Sequence, residues 1–149
     1  MNSKSLARNI TSMIIFNITI IVAVISIHEL GHVLGGKLIG CNEAKVVIFD
    51  SSQEGPYTEM VCSNTNNQNI AYLSSLATTT LFGLFFLTFE EKSQKNMFFI
   101  ILGLGILLAG LDIVAVSGLE IMKYVFIFFG FGIVLFGEIL VGLAYANHQ

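Results

Sequence analysis

Apolar and polar positions segregate on a coarse scale along this 149-residue chain, with four long apolar stretches separated by short polar segments. The first runs from about Thr11 to Ile39. As a helix its roughly 29 residues would rise about 43 Å, more than the ~30 Å hydrocarbon core of a bilayer. Ile70 to Phe89, Met97 to Leu119 and residues 121 to 146 follow, each long enough to span. Between the first two stretches the character changes. Ala44 to Phe49 is β-branched and apolar, Ser51 to Pro56 is turn chemistry, and Tyr57 to Val61 reads as a returning strand. These patterns predict an all-α polytopic membrane protein of one domain, residues 1–149. It has four antiparallel transmembrane helices (about 11–39, 70–89, 97–119 and 121–146) and a small β-hairpin (about 44–62) at the membrane surface. Asn64 to Asn69 reads as a polar linker, and Glu90 to Asn96 as a charged turn.

Composition agrees with that placement. Apolar residues make up 54% and charged residues 11%, with a mean hydropathy of +0.80, whereas soluble domains carry about a quarter charged residues. The net charge of −3 is spread out, and without a basic stripe no nucleic-acid partner is expected. Lys4 and Arg8 ahead of an apolar run resemble a secretory signal. No small-residue cleavage site follows, so the segment is expected to stay as the first helix, with Lys37 snorkelling near its end. Two cysteines cannot build a zinc finger. With the turn centred between Ser51 and Ser52, Cys41 falls opposite Cys62. A disulfide on an oxidising side and two free thiols are both open readings.

Chemistry concentrates at Ile27-His28-Glu29-Leu30-Gly31-His32, inside the first apolar stretch. Residues four apart on a helix share a face, so the two imidazoles point the same way. With glutamate beside the first, this is the H-E-x-x-H arrangement of zinc hydrolases, two ligands and a general base. Isolated transmembrane histidines often bond only to neighbouring helices, but this spacing and a carboxylate at matching depth favour a metal.

A catalytic zinc takes a third protein ligand and keeps one position for water. His148 lies in the C-terminal tail, which leaves Asp112 and Glu138, intramembrane carboxylates that each call for a partner. Helices one and three run the same way, and the motif and Asp112 both lie a few residues past the middle. Glu138 lies past the middle of a helix running back, roughly 10–15 Å from the histidine level. Asp112 is therefore the expected third ligand. Glu138 is expected to be structural. Ser74, Ser75, Thr78, Thr79 and Thr80 fall at the metal's level, where hydroxyls chiefly serve helix packing and some can donate to ligands. Gly35, Gly36 and Gly40 are expected to allow close packing or to end the helix.

His28-Glu29-Leu30-Gly31-His32 on an early transmembrane helix, with an aspartate on a later one, resembles the site-2 proteases, zinc enzymes that cut transmembrane substrates within the bilayer. The likeness covers about residues 11 to 119, including a β-rich insertion after the motif helix, and fits a divergent, minimal member. It implies that His28, His32 and Asp112 bind Zn2+ and that Glu29 is the catalytic base. Gly110-Leu111-Asp112 stands at the family's Leu-Asp-Gly signature, but Ile113 follows the aspartate where the family has glycine. The family's proline-rich break is missing, and Pro56 is the only proline. Leu73-Ser74-Ser75-Leu76-Ala77 loosely resembles the family's Gly-Pro-containing helix.

The expected activity is intramembrane hydrolysis of peptide bonds in transmembrane substrate proteins. Glu29 would take a proton from the attacking water and deliver it to the leaving amine. A substrate helix must unwind to expose its carbonyls, and the hairpin edge offers β-addition to the extended segment. The alternative from another class is a non-enzymatic membrane protein that binds or transports a divalent metal through the same His/Asp cluster. Only the protease needs Glu29. Lys4, Arg8, Lys92 and Lys95 on one side against Lys37, Lys45 and Lys123 on the other lean towards a cytoplasmic N-terminus. The family resemblance leans the other way, with hairpin and metal near the cytosol.

Overall fold

The computed structural model describes residues 3–47 and 57–146. The expected turn at Ser51–Pro56, the end of the first strand at Ile48 and Phe49, and His148 lie outside the described residues. The elements are α1 (Ser3–Leu38), β1 (Asn42–Val47), β2 (Tyr57–Val61), α2 (Thr65–Phe86), α3 (Lys92–Ser117) and α4 (Glu120–Ala146). All four helices are long and apolar enough to cross a membrane, over Ile14–Leu38, Asn66–Phe86, Lys92–Val114 and Glu120–Tyr145.

Three helices start earlier than their apolar stretches. α1 begins at Ser3 rather than near Thr11, and α3 at Lys92 rather than Met97. The segment Asn64–Asn69 is not a linker but a cap and first turn, with Asn64 Oδ1 accepting from the Asn67 amide at 2.8 Å. Hydropathy marks the part of a helix suited to lipid, whereas backbone hydrogen bonding runs on through polar helix formers such as Lys and Gln. At its other end α1 stops at Gly40, with φ +81°. There the Gly40 and Cys41 amides donate back to the carbonyls of Lys37 and Gly36, and glycine takes the left-handed conformation without a Cβ penalty.

The helices meet along stripes of buried residues spaced by four. On α1 the stripe is Ile20, Val24, His28 and His32; on α2 it is Ala71, Ser75, Thr79 and Gly83. α2 packs against both α1 and α3, while α4 packs on α3. An apolar core of Ile20, Val24, Met97, Ile100 and Ile101, flanked by Phe82, Phe86 and Leu104, fills the half of the bundle away from the hairpin. Phe128 on α4 is 81% exposed, as a lipid-facing side chain would be.

β1 and β2 pair antiparallel. At the base the expected register holds, with Asn42 opposite Val61, but beyond it the pairing shifts to Lys45–Glu59, Val46–Thr58 and Val47–Tyr57. Glu43 and Ala44 thus face Met60 alone. This is a β-bulge, and Glu43 has φ +56°. The hairpin leans on α1, where Gly36 lies against Cys41, Ala44 and Met60. Cys41 and Cys62 are joined in a disulfide. Lys45 and Glu59 form an exposed cross-strand ion pair at 3.0 Å, which raises the lysine above its ordinary pKa by hydrogen bonding and charge.

Candidate metal centre

His28 and His32 extend the apolar stripe of α1 by two further turns, and both are buried. Their rings stand perpendicular with centroids 4.9 Å apart. From α3, Asp112 reaches between them, its Oδ2 at 3.0 Å from His28 Nε2 and its Oδ1 at 3.3 Å from His32 Nε2. The same Oδ2 lies 3.0 Å from Ser75 Oγ of α2. The single Ser75 proton has two acceptors in reach, this oxygen and the Tyr72 carbonyl at 2.8 Å. Three helices therefore converge on one carboxylate.

The hydrogen-bond partners constrain the protons. His32 Nδ1 lies 3.1 Å from the Ala71 carbonyl, which can only accept, so Nδ1 carries a proton. Without a second ring proton, His32 Nε2 turns a lone pair towards a carboxylate oxygen. Two electron-pair donors held face to face require positive charge between them, either that second proton or a cation. The two nitrogen–oxygen separations, 3.0 and 3.3 Å, stand at or just under the ~3.3 Å edge of a tetrahedron with the ~2.0–2.2 Å bonds zinc makes to imidazole and carboxylate. Two imidazole nitrogens and a carboxylate oxygen, all largely buried, are a donor set that could hold a metal ion. His28 Nδ1 is buried and has no hydrogen-bond partner among the described residues.

Glu29 is half-buried beside the histidines. One ligand atom from each of His28, Glu29 and His32 lies within 4.8 Å of the others, a group that could hold a metal ion. Its carboxylate is met by the hairpin, where Thr58 Oγ1 of β2 lies 2.7 Å from Glu29 Oε2 and 3.1 Å from the Glu29 carbonyl. A hydroxyl has one proton to give, so it can serve either oxygen and holds the side chain against its own backbone.

The structure brings together His28, Glu29, His32 and Asp112, the residues singled out by spacing and depth. Glu138 is not among them. By helical rise it lies about 27 Å from the hairpin-side end of α4, against about 7.5 Å for Asp112 in α3, so the two carboxylates stand at different levels. Among the expected hydroxyls, Thr78, Thr79 and Thr80 bond back into α2, and Ser74 donates to the Ala71 or Gly31 carbonyl. Ser75 alone touches a proposed ligand. Ser75 lies on the buried Ala71, Ser75, Thr79 and Gly83 stripe, which the sequence spacing does not by itself reduce to one residue. Thr58 carried no comparable signal, because its reach depends on how the hairpin leans.

Comparison with protein-family models, with curated proteins and with solved structures found no match.

Proposed function

We propose that this chain is a multi-pass membrane protein and an intramembrane zinc metalloprotease that hydrolyses peptide bonds of transmembrane substrates, a divergent, minimal relative of the site-2 proteases. The observation that carries the reading is the convergence of His28 and His32 on the Asp112 carboxylate, with Glu29 beside them. An ion pair alone would explain a buried carboxylate near imidazoles. It would not call for a glutamate next to the first histidine, held by a hydroxyl from the hairpin.

His28, His32 and Asp112 would hold the ion, which when bound supplies Lewis acidity, lowering the pKa of water towards ~7 and polarising the scissile carbonyl. Ser75 steadies one Asp112 oxygen, and the Ala71 carbonyl fixes the tautomer that leaves His32 Nε2 free to ligate. Glu29 is the general base, and it returns the proton to the leaving amine. Thr58 engages one of its oxygens, and a carboxylate has a second for that exchange. Apolar packing of Val24 and Ile20 below the site keeps water from passing to the far side.

Glu29→Gln tests the assignment, because it keeps shape and hydrogen bonding but removes the base. Turnover of a transmembrane reporter segment is expected to fall by about 10²–10⁴-fold while bound zinc stays the same. Retained function in Glu29→Gln, with loss in Asp112→Ala, would instead favour a protein that carries or senses a divalent metal.

A further inference from the structure

We infer that the hairpin and the metal centre face the extracytoplasmic, oxidising side of the membrane, so that the bond hydrolysed lies in the extracytoplasmic half of a membrane-spanning substrate segment. The substrate clause rests on the protease reading above; the orientation does not.

Two independent observations give the same direction. The first is the disulfide between Cys41, where the chain has just left α1, and Cys62, three residues before α2. Disulfides form and persist in oxidising compartments and are rare in the cytosol. The second is charge. Lys4 and Arg8 precede the α1 span, and Lys92 and Lys95 open α3, all at the end opposite the hairpin. The hairpin end carries Lys37, Lys45 and Lys123, of which Lys45 is paired with Glu59. Lysine and arginine near span ends are enriched on the cytoplasmic side, and the excess of four over three lies opposite the hairpin. This is the reverse of what the family resemblance implies.

The site lies towards that outer end. His28 is ten residues from the end of α1 and Asp112 five from the end of α3, about 15 Å and 7.5 Å of helix. Thr58 of the hairpin touches Glu29 directly. The apolar core occupies the opposite half, so water and an unwound substrate segment are admitted from the hairpin side.

Cysteine labelling in intact cells tests the orientation without requiring zinc or proteolysis, so it can fail independently of the proposed function. Glu120→Cys and Glu91→Cys each add one exposed thiol, at the hairpin end and the opposite end respectively, in an otherwise unchanged chain. With a membrane-impermeant maleimide–polyethylene glycol, Glu120→Cys is expected to gain one tag in intact cells. Glu91→Cys is expected to gain one only after permeabilisation. The unchanged chain, denatured, is expected to gain two tags after reduction and none before. The reversed labelling pattern, or tagging of the unchanged chain without reductant, overturns the inference.

Discussion

His28 and His32 owe their different surroundings to what each second ring nitrogen meets. His32 is fixed by the Ala71 carbonyl at 3.1 Å, whereas His28 Nδ1 is buried with no partner among the described residues. Asp112 is fixed from a third direction by Ser75. Outer hydrogen bonds of this kind orient ligands and typically change metal affinity 10–100-fold. Ser75→Ala should therefore weaken zinc binding by about that factor in a chelator competition while leaving α2 intact, since alanine is the better helix former. Unchanged affinity would show that Ser75 spends its proton on the Tyr72 carbonyl. The histidines, Glu29 and Asp112 were legible from spacing and depth, because helical geometry alone sets both. Ser75 stood among five hydroxyls with equal claims, and only the facing of α2 towards α3 separates it. Thr58 was hidden because a bulge at Glu43 and Ala44, which no turn residue announces, shifts the strand pairing by one.

Among the elements, glycine governs how closely the helices approach. A Cβ at Gly31, one residue before His32, would sit 2.7 Å from Ser75 Cα, a backbone atom that cannot turn aside. Gly103 and Gly130 do the same for α3 and α4, each lying where a Cβ would meet the other's carbonyl oxygen at 2.7 Å. Gly142 meets nothing within 4 Å. Gly31→Ala should therefore cost about 1–3 kcal/mol, as overpacked sites do, whereas Gly142→Ala should be neutral or slightly stabilising. Thermal unfolding in detergent separates the two, and equal midpoints would contradict the close α1–α2 contact. The four helices were legible as apolar stretches, but their starts were not. Asn64 caps α2 and Lys92 opens α3 through backbone hydrogen bonding that hydropathy does not register.

For the whole molecule, three helices build the site and the fourth buttresses one of them. α1 supplies the histidines and Glu29, α2 the supporting Ser75 and Ala71 groups, and α3 the aspartate. α4 stacks on α3, where Asn96 donates to the Leu140 carbonyl at 3.0 Å. The hairpin, stapled at its base by Cys41–Cys62, brings Thr58 down to Glu29. The central claim is that His28, His32 and Asp112 share one metal ion. The most direct measurement is the zinc content of the purified protein beside its His28→Ala and Asp112→Ala variants. About one zinc per chain, lost from both variants, is the result expected; unchanged metal in both would contradict the shared site.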